Sequence, residues 1–151
     1  MYNARDTAKY ILKYCNENNV KDCSNKKLQK LLYYVQAWSL AFTGKALFSD
    51  PIEAWLHGPV VADIYRKYKE FGFNPIPISA VELIGFSENY FSDKTDMVNS
   101  ILSHYTAYDA DFLEMRTHIE APWKEARQTN TRIITEESME RYYKEVLQTN
   151  A

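Results

Sequence analysis

The sequence predicts a mostly α fold: a compact single-domain bundle of about six helices with one or two short strands. Apolar residues return at steps of three and four in several separate stretches, the period of one helix face. Capping residues and glycines stand at the ends of those stretches, where helices start and stop. Only one stretch, Ile52-Glu53-Ala54-Trp55-Leu56, is apolar, bounded by turn residues and too short for a helix, so it reads as a strand or extended arm. The length of 151 residues suits one domain over 1–151, with enough chain to build a core without metals or disulfides. There are no internal repeats and no low-complexity tract.

Each element follows in order. Asn3 or Asp6 caps a first helix whose buried positions are Ala8, Ile11, Leu12 and Cys15, ending near Asn18-Asn19. Ser24 or Asn25 opens a second helix with the stripe Leu28, Leu31, Leu32, Val35, Trp38 and Phe42, and Gly44 stops it in the left-handed region. Ser49-Asp50-Pro51 turns the chain into the extended arm. Gly58-Pro59 is expected to break that arm and open a third helix, because proline suits a first helical turn. Val60, Val61, Ile64, Tyr65 and Tyr68 would give this helix its buried face. The stretch from Glu70 to Ser92 is the least regular, punctuated by Gly72, Pro75 and Pro77, with Ile76-Pro77-Ile78 as a short extended piece. A loop of this length in a compact domain is a candidate for variable partner contacts. Ser92 or Asp93 then begins a helix with Met97, Val98, Ile101, Leu102 and Tyr105 on one face, and Asp109 caps the next. Ala121-Pro122-Trp123 interrupts that pattern, and Pro122 begins a short helix through Arg127. After a polar connector, Thr135 starts a terminal helix with Met139, Tyr142, Tyr143, Val146 and Leu147 on its face.

Composition narrows the function. A net charge of −2 gives no general attraction for phosphates, and the clusters Lys26, Lys27, Lys30 and Arg66, Lys67, Lys69 fall mostly off the apolar stripes, where solvated charge is expected. Nucleic acid is therefore not an expected partner. No run approaches the roughly 20 apolar residues of a membrane span, and no signal-peptide core stands at the start. With Cys15 and Cys23 as the only cysteines, the expectation is a reduced, cytoplasmic protein without a membrane partner. Twelve Tyr, seven Phe and three Trp are enough to fill a core with rings and still leave some at an interface.

Catalytic and cofactor motifs are weak. His118-x-Glu120 resembles half of a zinc deaminase signature, but the P-C-x-x-C thiolates that would complete it are missing. The simpler reading is that His118 and Glu120 fix the turn before Pro122-Trp123 by bonding free backbone groups. His57 could serve as a loop base, yet no nucleophile elbow accompanies it, so it reads as a packing or surface residue. The four glycines are too dispersed for a phosphate loop. Trp55 and Trp123 read first as core anchors, with one ring left partly exposed as the functional alternative. No catalytic, metal or cofactor-binding residues and no cofactor are expected.

Three ordered blocks carry a family resemblance: K-L-Q-K-L-L-Y-Y-V-Q-A-W at 27–38 with P-I-E-A-W-L-H-G-P-V-V at 51–61 and I-Y-R-K-Y-K at 64–69, then T-H-I-E-A-P-W at 117–123, then M-E-R-Y-Y at 139–143. Together they resemble the Panacea antitoxin domain family, which takes in GepA-type phage-associated proteins and SocA-like antitoxins. Its motif positions fall here on Leu28, Leu31, Tyr34, Trp38, Glu53, Trp55, Gly58, Pro59, Val60, Tyr65, His118, Glu120, Pro122, Trp123 and Tyr143, in mainly structural roles. The resemblance implies no enzymatic activity. It implies an antitoxin-like protein that neutralises a cognate toxin by direct protein–protein binding, or an adaptor that delivers the toxin to a protease. The alternative is a phage or mobile-element protein acting on a host defence or regulatory factor.

Overall fold

A single long helix, α2 (Asn25–Thr43), runs through the middle of the molecule. In the computed structural model, which describes residues 2–149, the other elements wrap around it. The outermost residues of the expected 1–151 domain, 1, 150 and 151, lie outside the described residues. α1 (Ala4–Glu17) precedes α2. A hairpin of β1 (Ile52–Trp55) and β2 (Gly58–Val60) follows it, then α3 (Ala62–Tyr68), α4 (Thr95–Tyr105), α5 (Ala110–His118), α6 (Ala121–Arg127), β3 (Ile133–Ile134) and α7 (Glu136–Thr149). Seven helices among the described residues is one more than the sequence count of about six. The three strands form one antiparallel sheet in the order β2-β1-β3.

The expected caps are present. Asn3 accepts from the Asp6 N–H at the start of α1, Ser24 from Lys27 at α2, and Asp109 from Phe112 at α5. Gly44 closes α2 at φ 75°, and Thr135 accepts from the Ser138 N–H at the start of α7. The expected faces of α1 and α4 are buried at Ala8, Ile11, Leu12, Cys15, Val98, Ile101 and Leu102. Between α3 and α4 the chain folds into short 3-10 turns at Lys69–Phe71, Ile78–Ala80 and Ser92–Lys94. Ile76 donates its N–H to Cys23 O, pinning this stretch beside the start of α2.

The structure corrects three expectations. Gly58-Pro59 does not open a helix. Leu56 and His57 form a two-residue turn, Gly58 pairs back with Trp55, and Val60 pairs with Glu53 as part of β2. Proline is tolerated because β2 is an edge strand, with no ladder partner required on its outer side. Helix α3 starts only at Ala62, which turns Tyr65 outward. On the second helix, Phe42 is half exposed because the last turn of α2 runs past the core; it stacks on Trp38 instead. Leu147 is likewise exposed near the end of α7.

The third correction concerns charge. Lys27 and Lys30 were expected in water, yet both are buried. The reason is that α2 has neighbours on every side, so its polar face is interior too. Its polar side chains bind the chain that wraps it. Gln36 donates to Phe48 O at 2.7 Å and accepts from Leu47 N at 2.8 Å. Gln29 accepts from Val61 N at 2.9 Å, and Asn25 donates to Tyr65 O at 3.0 Å. Lys27 donates to Asp22 and to Thr106 O. Each bond satisfies a backbone or side-chain group that would otherwise be buried unpaired.

Lys30 passes beneath the hairpin, and Gly58 makes room for it. A Cβ on Gly58 would stand 2.5 Å from Lys30 Cε, and φ there is +112°. Gly58→Ala therefore combines a clash with a left-handed backbone and is expected to cost about 3 kcal/mol. Gly44→Ala, at φ +75° with nothing within 4 Å, should cost about 1 kcal/mol. Urea denaturation of the two variants compares them; equal losses would mean that the close approach to Lys30 carries no cost.

Candidate binding surface

The chemical centre of the molecule is a carboxylate without water. Glu120 stands at the break between α5 and α6, where Pro122 forces a new helix to start and Glu120 serves as its extended N-terminal residue. Its side chain points inward, and the residue is 2% exposed. Three phenols from two helices meet it. Tyr33 donates to Oε1 at 3.4 Å and Tyr34 to Oε2 at 3.3 Å, both from α2, while Tyr143 of α7 donates to Oε1. Tyr34 also stacks on Tyr105 of α4, with ring centres 3.9 Å apart, and Tyr105 accepts from the Trp38 indole at 2.7 Å. The expected role of Glu120, fixing the turn through backbone bonds, is replaced by this cluster. Its backbone alone serves the turn: the N–H donates to Thr117 O and the carbonyl accepts from the Lys124 N–H.

Burial sets the titration here. Removal from water pushes the Glu120 carboxyl up to about 7, although Tyr143, Arg116, Tyr34 and Tyr33 all favour its charged form. The same burial, reinforced by the Glu120 charge, pushes the Tyr33 and Tyr34 phenols well above their usual range. Tyr105 is pushed up to about 12, first by burial.

Beside this centre, α5 presents two apolar faces. Leu113 and Thr117 point into the core. Phe112, Met115 and Ile119, at steps of three and four, line the outer side together with Tyr108 from the bend before α5, and all four are between 36% and 57% exposed. Tyr108 and Phe112 stack with ring centres 4.5 Å apart. Met115 and Ile119 border a shallow depression of about 340 Å³ with Asp111, Glu114 and His118. Glu114 is the polar hub beside this face. It pairs with Lys26 and, at 3.2 Å, with His57, and lies 4.0 Å from His118. Burial raises its carboxyl, but the Lys26 and His57 bonds outweigh that and hold it below the usual range.

The sequence-marked positions divide between these regions. Leu28 and Leu31 are core, and Tyr34, Glu120 and Tyr143 meet in the phenol cluster, which Trp38 borders through Tyr105. Gly58, Pro59 and Val60 form the buried edge strand. Glu53 accepts from the Trp55 indole at 2.9 Å. Trp123, beside the buried Pro122, donates to Trp55 O at 2.9 Å and stacks on His118 with ring centres 4.1 Å apart. Both Trp55 and Trp123 are half buried rather than full core anchors, and Tyr65 packs edge-on against Trp55 at the surface. His57, His118 and Glu120 do not form one site: the two histidines approach the same Glu114 carboxylate from either side of the surface, whereas Glu120 is sealed among tyrosines. Sequence reasoning missed Tyr33, Lys30 and the outer face of α5. Phe112 and Met115 stand three apart in the sequence, but Tyr108 joins them only through the bend before α5, which periodicity does not show.

A helical scaffold with a buried polar centre and one helix apolar on both sides has the features of a binding domain. The chain belongs to the antitoxin SocA-like, Panacea domain family, whose model matches residues 28–124. No curated protein and no solved structure gives a significant match to it. The matched region runs from the first turn of α2 into α6 and so includes Lys30, Glu120 and the outer face of α5. Among the described residues no group of acidic, His or Cys side chains is arranged to hold a metal ion, and no helix is long and apolar enough to cross a membrane.

The Glu120 cluster makes stability depend on pH in a defined direction. Its folded pKa, about 7, lies above its ordinary value of 4.5, so the folded state holds this proton more tightly than the unfolded chain. The Glu120 contribution is most favourable below about pH 4.5, falls as pH rises to about 7, and is level above that, a change of roughly 3 kcal/mol. Glu120→Gln keeps an acceptor for the phenols without the charge. Urea unfolding at pH 4.5 and 7.5 should show the variant gaining on the wild type by about that amount. Parallel profiles would mean that Glu120 does not titrate in this range.

Proposed function

We propose that this chain is an antitoxin-like protein of the cytoplasm that neutralises a cognate toxin by binding it, without catalysis of its own. One observation supports this reading above the others: the outer face of α5 is an apolar stripe left half exposed among the described residues. Phe112, Met115 and Ile119 share one side of α5 and its C-terminal end, Tyr108 from the preceding bend stacks on Phe112, and Asp111, Glu114 and His118 stand at the margin. An apolar centre with a polar rim is the usual anatomy of a protein interface. The face is held rigidly, because the opposite side of α5 is locked into the core at Leu113 and Thr117 and its end is tied to the Glu120 cluster. A rigid face loses little conformational entropy on binding. The family's antitoxin-like character supplies the class of partner, a toxin. The stretch between α3 and α4, with Phe73 and Ile84 fully or almost fully exposed, offers a second zone for partner choice. An adaptor version uses the same contact and adds delivery of the bound toxin to a protease.

The test is co-expression with the product of each adjacent gene, scoring growth and co-purification. The expected result is a neighbour that is toxic alone, is neutralised by this protein and co-elutes with it; growth restored with disappearance of the toxin marks the adaptor version. The double variant Phe112→Asp, Met115→Asp should abolish both rescue and co-elution. The two side chains are only 38% and 45% exposed, so the variant should lose about 2 kcal/mol of stability and still unfold cooperatively in urea. Full rescue by that variant would move the contact elsewhere. A set of neighbours none of which is toxic would overturn the paired-toxin reading in favour of a host factor as the target.

A further inference from the structure

A second cavity lies under the hairpin turn, and its Lys26 and His57 meet Glu114 at the margin of the α5 depression. Its volume is about 480 Å³, in the range of small-molecule sites. Trp55, Leu56, Val60, Tyr65 and Phe73 make its apolar walls, and Lys30 lines it together with Asn25 and Gln29. Leu56 and Phe73 are 66% and 93% exposed. No acidic residue lines it.

The polar groups in this wall are not equivalent. Asn25 and Gln29 are occupied with each other, with Tyr65 O and with Val61 N. Lys26 is taken by Asp111 and Glu114, and His57 by Glu114. Lys30 is different. It is 1% exposed, has three N–H donors, and among the described residues its one hydrogen-bond acceptor is Pro59 O, at 3.3 Å. No carboxylate pairs with it among the described residues. An amine buried without a counter-ion carries a large desolvation cost unless something supplies one or the proton leaves. Burial, with Lys26 nearby, indeed holds the Lys30 amine down at about 7, and the more distant Glu114 only partly opposes this.

From this geometry we infer that the cavity is a binding site for a small organic carboxylate with an apolar body, its anion on Lys30 and its body against Trp55, Leu56, Tyr65 and Phe73. The walls choose the ligand. Of the three lysines in the lining, Lys26 is paired with Asp111 and Glu114 and Lys69 stands exposed in water. Lys30 is thus the one buried cation in the lining beside five apolar side chains, a surface on which a strongly hydrated polyanion would lose its water. A neutral apolar molecule would leave the Lys30 donors unpaired. Only a ligand that is apolar for most of its length and singly anionic at one end matches both. Such a molecule would also meet the β1–β2 turn and the Gly72-Phe73 turn together, joining two segments that are otherwise separate in the wrap around α2. The site does not use the outer face of α5, on which the toxin reading chiefly rests; Phe73 alone is shared with the second zone for partner choice.

The probes are sodium 3-phenylpropionate and its neutral counterpart, 3-phenylpropanamide, titrated into the ¹⁵N-labelled full chain. The expected result is saturable movement of the Trp55 indole and the Gly72 and Phe73 amide signals by the acid, with binding by the amide at least about tenfold weaker. Lys30→Met should remove the preference for the acid while Phe112→Asp leaves it intact. Equal binding of acid and amide, shifts confined to other regions, or no shift up to about 10 mM acid would each overturn the assignment. The blocked peptide acetyl-Leu-Glu-Leu-amide, run in parallel, separates a free acid from a carboxylate presented by a polypeptide. Weaker binding than the small acid supports the assignment, and tenfold tighter binding overturns it in favour of a protein ligand. The comparison of acid with amide on the wild type needs no variant, so it stands even if Lys30→Met folds poorly.

Discussion

The constraint on which the rest depends is that α2, up to its exposed last turn at Phe42 and Thr43, has no face in water. A helix enclosed all round normally has to be apolar all round. This one is not: Asn25, Lys27, Gln29, Lys30 and Gln36 are inside with the leucines. Each buried polar side chain therefore needs an internal partner, and the partners are largely backbone groups of the segments that pass over the helix. Gln36 takes both N–H groups and a carbonyl from the turn at Leu47-Phe48, and Gln29 holds Val61. Non-helical chain is thus placed by side chains of the helix rather than by a ladder of its own, and a three-stranded sheet of nine residues suffices.

The same logic explains the tyrosines. A carboxylate brought into the core at the α5–α6 break requires donors, and phenols supply them together with large apolar area. Tyr33, Tyr34 and Tyr143 therefore serve as packing and as solvation for Glu120 at once. The break at Pro122 and the C-terminal helix, distant in sequence, become one structural unit with the centre of α2. This ties the inner face of α5 in place and leaves its outer face as a fixed platform.

Much of the fold was legible because it is written in local terms. Asn3, Ser24, Asp109 and Thr135 act through their nearest backbone N–H groups, and Gly44 through its own φ, so those boundaries follow from the residues themselves. What was not legible depended on neighbours. Periodicity marks one apolar stripe and assigns the remainder to solvent, so Lys27 and Lys30 were placed in water when tertiary packing had closed over them. Gly58-Pro59 carries the local signature of a helix start, but pairing of Gly58 with Trp55 overrode it. Glu120 stood inside a recognisable string, yet nothing local says that three phenols from other elements converge there. Family membership and the helical class were therefore readable, whereas the exposed face of α5 and the lysine under the hairpin emerged only from the assembled packing.

A helix wrapped on every side has a consequence for the lifetime of the molecule. Its core cannot be released piece by piece, since removing any one wrapping segment uncovers amides or charges that its side chains had satisfied. Local opening of the central unit is thus as costly as opening most of the domain, and unfolding there is close to all or none. A protease that needs a slack stretch of chain finds little in the middle of the native state, so turnover of the core follows the rare global opening. Anything that binds the folded form lowers the population of that opening and lengthens survival. Occupancy by a partner and persistence of the chain are in this way coupled through one buried helix, with no dedicated switch.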